Sequence, residues 1–195
     1  MKKINFKTNK GFTLLETLIA IFIMVVAFTS LLSLMTTTMF SARYATNEIT
    51  ATYLAQEAVD YIRNDRDTTV IIGGDWVGFL NRYGNYQSTP TTSCYAKSGC
   101  YFDVTDMTYT ITPCMASPGS CPNLNYEENP VSSGYYISTP SSTSISTKFK
   151  RTVTLEGGNI VNGIPEELMI TVKVDWMNGS RPRSQTLRAS LLKWQ

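Results

Sequence analysis

Histidine is absent from the 195 residues of this chain. Ser-His and Cys-His nucleophiles and His-ligated metals are therefore excluded. The paired carboxylates Glu127-Glu128 and Glu166-Glu167 are adjacent in sequence. Neighbours on an extended chain point to opposite faces, so neither pair directs an acid and a base at one substrate. With no catalytic constellation left, the expectation is a protein that is not an enzyme and carries no cofactor.

The remaining reactive residues, Cys94, Cys100, Cys114 and Cys121, lie within 28 residues of one another. Their spacings, C-x5-C and C-x6-C, lack the short knuckles of zinc sites, and no histidine completes a ligand set, so no metal is expected. An even count in a Ser/Thr-rich segment points to disulfides in an exported domain. Four cysteines allow three connectivities. Closing the shortest loops loses the least entropy, which predicts Cys94 with Cys100 and Cys114 with Cys121.

One carboxylate has an unusual setting. Glu16 is the only charged residue between positions 12 and 42. Residues 12–35 form an apolar run that as a helix measures about 36 Å, enough to span a bilayer core. Lys2, Lys3, Lys7 and Lys10 precede it and no lysine immediately follows it. The positive-inside rule then puts the N-terminus in the cytoplasm and the rest of the chain outside. A cleaved secretory signal has a shorter apolar region, and a buried core helix leaves the lysine cluster to coincidence. A plain signal anchor fits length and flanking charge but gives no reason for a carboxylate inside the membrane. Without the four lysines, 13 basic side chains stand against 15 acidic ones, with no basic block after residue 11. Nucleic acid is therefore not an expected partner.

The residues around this charge read Lys10-Gly11-Phe12-Thr13-Leu14-Leu15-Glu16-Thr17-Leu18-Ile19-Ala20. They resemble the prepilin cleavage and methylation motif shared by type IV pilins and type II secretion pseudopilins. The resemblance implies that a prepilin peptidase/methyltransferase cuts between Gly11 and Phe12 and N-methylates Phe12. It makes Thr13, Leu14, Leu15 and Glu16 part of the processing and assembly motif. The residues agree with those roles: Gly11 lets a protease approach the backbone closely, and position 16 shares a helix face with position 12. A carboxylate in an apolar medium needs a cationic partner, and the new amine of Phe12, in the same subunit or a neighbour, is available.

Beyond the span, residues 43–67 contain no Gly or Pro, and Ala51, Leu54, Ala55, Ala58 and Ile62 recur at helical spacing. Glu48, Glu57, Asp60 and Arg63 sit mostly off that stripe. The Gly73-Gly74 pair ends the helical region, and residues 76–80 read as an apolar cluster packed in the core. Short strands are expected at 101–104, 109–111 and 135–137, and the Ser/Thr run at 138–144 reads as loop. Towards the C-terminus, Phe149, Arg151, Val153 and Leu155 alternate with polar residues, as do Leu168, Ile170, Val172, Val174 and Trp176. With breaks at Gly157-Gly158, Asn162-Gly163 and Asn178-Gly179, and a third strand over 186–194, this predicts an antiparallel meander. Asn178-Gly179-Ser180 also matches a glycosylation sequon, but Asn-Gly suits a hairpin turn better.

An apolar helix stripe and a one-sided sheet each need cover, and they provide it for one another. The fold class expected is α+β. This matches what the resemblance implies, a pilin-like fold in which a long N-terminal helix, membrane-spanning in its first half, packs on an antiparallel sheet. The organisation is a cleaved basic leader at 1–11, a helix at 12–67 with its membrane part at 12–35, and an exported β-rich head at 68–195. The resemblance further implies a single-pass inner-membrane protein, with its head outside, that enters an extracellular or periplasmic filament. Its partners are then the lipid bilayer before assembly, the inner-membrane assembly platform, and other pilin or pseudopilin subunits through the N-terminal helix. No proline interrupts residues 12–34, unlike many major pilins, and the head is large. Those departures favour a minor pilin, with a minor pseudopilin of type II secretion, or a membrane-anchored binding module, as the alternatives.

Overall fold

The computed structural model describes residues 11, 13–87, 93–106, 108–114, 121–128 and 134–193. These fall in two compact units, Met1–Ala45 and Thr46–Gln195, taken separately below. Helix α1 spans Leu14–Ile71 without a glycine or proline. In the first unit it carries an apolar surface, and residues 13–43 are exposed throughout. Among the described residues this is the one helix long and apolar enough to cross a membrane.

In the second unit α1 buries Ala51, Leu54, Ala55, Ala58 and Ile62, the stripe expected from the sequence. Its end is a Schellman motif. Gly74 donates its backbone N–H to the Thr69 carbonyl, Gly73 donates to Val70, and Gly73 takes φ +78°, which an L side chain rarely adopts. A short helix α2, Trp76–Arg82, follows, with the Asp75 carboxylate accepting the Gly78 N–H at 2.9 Å as its N-cap. It buries Trp76, Phe79 and Leu80.

The sheet has seven strands: β1 Cys100–Tyr101, β2 Thr112–Pro113, β3 Asn123–Glu127, β4 Tyr136–Ile137, β5 Ser144–Val161, β6 Ile164–Asn178 and β7 Arg181–Leu192. The meander β5-β6-β7 forms its body, with Val153 opposite Val172 and Val172 opposite Leu187. The other edge of β5 is shared, β1 pairing at Val153 and β3 at positions 144–150. Val153, Leu155, Leu168, Ile170, Val172 and Val174 are all but inaccessible, and each such aliphatic side chain contributes about 2 kcal/mol. The period-2 alternation thus puts one sheet face in the core, as predicted. The fold is α+β.

Some local expectations fail for identifiable reasons. Gly157-Gly158 does not end a strand: both residues stay paired with β6, and a Cβ on Gly157 would come within 2.8 Å of Pro165. The β5-β6 turn lies further on, at Asn162 and Gly163, with φ of +51° and +80° as a type I′ turn requires. Asn178-Gly179 bounds β6 as expected. Residues 102–104 leave the sheet because the Asp103 carboxylate accepts from the backbone N–H of Ser138 and, at 3.3 Å, of Thr139. Tyr109, at φ +53°, is not extended, so the strand expected at 109–111 appears instead as Thr112–Pro113. Strand β7 begins five residues before its expected start, and Trp194 lies outside the described residues.

Candidate processing and assembly segment

The first turn of α1 is built from the motif itself. Thr13 precedes the helix, and its side-chain Oγ1 accepts the Glu16 backbone N–H at 3.3 Å, while Thr17 donates its own N–H to the Thr13 carbonyl at 3.2 Å. Thr13 is therefore the N-cap and Glu16 occupies the third helical position, the spacing of a capping box. A carboxylate there also sits in the positive end of the helix dipole. This role was readable as Thr-x-x-Glu before an apolar run, but the sequence reading took those residues only as part of the longer motif. Gly11 is exposed, and a Cβ built on it meets nothing within 4 Å. Phe12 and the four leader lysines lie outside the described residues.

Along the apolar part the hydroxyls turn inward on the helix. Thr17 donates to Leu14 O, Ser30 to Ala27 O, Thr36 to Ser33 O, and Thr37 and Thr38 both to Leu34 O, each at 2.8 Å. Thr29 shares its hydroxyl between the carbonyls of Val25 and Val26 at 3.0 Å. These hydroxyls are satisfied within the helix, which leaves Glu16 as the charge displayed on an exposed apolar surface.

The cysteines lie elsewhere, in the second unit. Disulfides join Cys94 to Cys100 and Cys114 to Cys121, with Cα–Cα distances of 4.7 and 4.8 Å. Both are buried against β5: Leu155 donates its N–H to the Cys94 carbonyl, and Cys114 donates to Gly99 O. Gly99, at φ +72°, lies where a Cβ would stand 2.6 Å from the Val153 carbonyl oxygen, so the loop closed by the Cys94–Cys100 bridge rests directly on the strand. The acidic pairs have structural partners. Glu127 accepts from the hydroxyls of Ser141 and Thr143, and Glu167 from Ser190.

Two ionic groups are the most deeply buried: Arg151, on the strand face that the alternation gave it, and Asp65, which the sequence pattern does not signal. Asp65, inside the helix stripe, accepts from Arg82 and, at 2.8 Å, from the Tyr83 hydroxyl, tying α1 to α2. Burial raises the Asp65 carboxyl above the usual range, opposed by the Tyr83 hydrogen bond and the Arg82 charge. Arg151, 1% exposed, points from β5 to the helix, where it donates to Glu57 and Leu54 O; its other nitrogen reaches Phe102 O at 3.2 Å. Burial lowers its basicity, opposed mainly by Glu57. Each group joins two elements, Asp65 helices α1 and α2 and Arg151 strand β5 and helix α1.

In comparison with known proteins, the family described as the prokaryotic N-terminal methylation motif matches residues 6–32. Comparisons with curated proteins and with solved structures gave no match. The matched residues contain the end of the basic leader with Lys7 and Lys10, Gly11, the Thr13 cap, Glu16 and the start of the apolar helix. The chain thus carries, at its N-terminus, the prepilin-type motif of type IV pilins and pseudopilins.

Proposed function

We propose that this protein is a structural subunit, of the minor-pilin kind, of a type IV pilus-type filament. It is made as a single-pass inner-membrane precursor, cut after Gly11 by a prepilin peptidase, N-methylated at Phe12, and drawn from the bilayer into the filament by its N-terminal helix. The observation that carries this reading is the start of α1: the capped turn at Thr13 and Glu16 opens an exposed apolar helix two residues after the proposed scissile bond. Such a surface needs a bilayer or neighbouring helices around it. Cutting at Gly11 would also remove Lys2, Lys3, Lys7 and Lys10, the charges that hold the precursor's end in the cytoplasm.

The experiment is mass spectrometry of the N-terminal peptide from cells with and without prepilin peptidase, beside immunodetection in sheared filaments. Methylated Phe12 and presence in the sheared fraction are expected. A terminus upstream of Gly11 in peptidase-positive cells would overturn the reading in favour of a membrane-anchored binding module. A processed subunit recovered only with a type II secretion complex would identify a minor pseudopilin.

A further inference from the structure

The meander β5-β6-β7 has a turn at each end, and the two turns differ in charge. Residues 155–168, around the β5-β6 turn, carry Glu156, Glu166 and Glu167 and no basic residue. Residues 176–187, around the β6-β7 turn, carry Arg181 and Arg183 and no acidic residue, and Asp175 just before them is held by Lys173 at 2.9 Å. Glu156 and Arg181 are exposed, Glu166 and Glu167 half-buried. Among the described residues none of these four belongs to an ion pair. Lys148 adds a further positive charge at the basic end, where it lies with Met177, Pro182 and Arg183 around one hollow.

Each end is also apolar at its surface. At the acidic end Ile160, 66% exposed, and Val161 form the tip, and Leu192 is exposed opposite Glu167. The end of α1 adds Ile71 and Ile72, since the Trp76 indole donates to the Pro165 carbonyl and holds the start of α2 against the base of this hairpin. A cavity of about 300 Å³ opens there between Asn159, Glu166, Glu167, Leu192 and Lys193, with two carboxylates against one ammonium. It is roomy enough to admit a long cationic side chain. At the basic end Met177 and Pro182 are exposed. Apolar surface rimmed by charge marks an interface.

The two ends do not meet within one molecule. Lys150 stands opposite Asp175, which is about 27 Å along β6 from Glu167 at the rise of a strand, and Lys148 lies farther on. We infer that the partner of each end is a second copy of this chain: the acidic β5-β6 end of one molecule docks on the basic β6-β7 end of the next. Two different surfaces then face one another, a heterologous contact that leaves one free end of each kind, so copies add in a line. An anionic bilayer attracts the basic end but repels the acidic one, whereas another copy satisfies both. The contact belongs to the second unit alone and is separate from assembly through the N-terminal helix.

The test is zero-length carbodiimide cross-linking of the purified full-length protein in detergent, followed by peptide mapping. A product joining Lys148 to Glu166 or Glu167 is expected, and at their separation within one chain only a contact between copies yields it. Its amount should fall about tenfold in about 0.5 M salt. Arg181→Glu, which leaves Lys148 and both glutamates in place, should lower it as far. Two reversed variants, Glu166→Lys with Glu167→Lys and Lys148→Glu with Arg181→Glu, should each fail to cross-link at these ends alone and should cross-link to one another when mixed. Circular dichroism checks that the variants are folded. Absence of the product joining Lys148 to a glutamate, a yield indifferent to salt and to Arg181→Glu, or no product on mixing the reversed variants would each overturn the inference. So would cross-linking of Glu166 or Glu167 to other proteins in cell membranes with none to a second copy.

Discussion

Arg151 Nη1 lies 2.8 Å from Glu57 Oε2, an ion pair that joins β5 to helix α1 in the core of the second unit. Its two ends differ in solvent access, the arginine side chain being 1% exposed and the glutamate 32%. Removing either partner therefore has unequal effects. Arg151→Ala leaves a cavity and strips hydrogen bonds from the Leu54 and Phe102 carbonyls, and should destabilise the protein by about 3 kcal/mol. Glu57→Gln keeps a neutral acceptor at a site reached by water but leaves the buried guanidinium without its counter-charge, and should cost about 2 kcal/mol. Urea midpoints followed by tryptophan fluorescence will check the order; equal shifts for the two variants would contradict this account.

Asp106 provides the pH dependence. Its carboxylate accepts the Thr108 N–H at 2.8 Å and the Thr108 hydroxyl at 2.5 Å, while its backbone carbonyl accepts the Tyr61 hydroxyl at 2.8 Å. The Thr108 side-chain bond, the Thr108 N–H and the Thr110 hydroxyl hold its carboxyl down to about 2. A depressed carboxyl stabilises the fold above the unfolded value, about 4, and that contribution is lost as pH falls from there towards 2. Hydrogen exchange at the Thr108 and Thr110 amides should accelerate relative to other amides across that window. Asp106→Asn should abolish the step.

The disulfides close short loops, with sequence separations of 6 and 7. On the chain-entropy account each contributes about 2.5 kcal/mol. Replacing Cys114 and Cys121 together by serine should lower stability by that order while leaving the Cys94–Cys100 bridge intact. Non-reducing peptide mapping checks the pairing: a peptide joining Cys94 to Cys121 in the unaltered protein would refute it.

Glu16→Gln leaves the apolar run and Gly11 unchanged, so insertion and processing should proceed at the normal level. On the proposed reading, in which Glu16 pairs with the Phe12 amine of the same subunit or a neighbour, a neutral amide would lose that pairing, and the variant should be depleted at least tenfold from sheared filaments. By contrast, Thr13→Ala removes only the cap, worth about 1 kcal/mol at the helix end, and should assemble with a smaller deficit. Immunoblots of membranes and sheared fractions distinguish the two; equal recovery of Glu16→Gln and unaltered protein would remove Glu16 from assembly.

Much of this architecture is legible wherever side-chain period and burial coincide. The stripe from Ala51 to Ile62 and the alternation from Leu168 to Trp176 are read directly, because one face of each element is apolar. Strand β3 is not legible, since its buried positions include Asn125 and Glu127. Their cover comes from distant groups, for Glu127 the hydroxyls of Ser141 and Thr143. Asp65 is hidden for the same reason: only its pairing with Arg82 and Tyr83 makes its burial tolerable, and neither partner follows from local pattern. In the candidate segment, Gly11, Phe12 and Glu16 are conspicuous as types in order. The Thr13 cap needed helix-start chemistry to be recognised.

The inward-turned hydroxyls of α1 have a mechanical consequence. A carbonyl that serves a hydroxyl as well as a backbone N–H holds its helical bond less firmly, and helices bend where such sharing recurs. Leu34 O receives two hydroxyls, from Thr37 and Thr38, and the neighbouring Ser33 O receives that of Thr36. No proline provides a hinge in this helix, so these adjoining carbonyls mark a turn where curvature comes at lower cost.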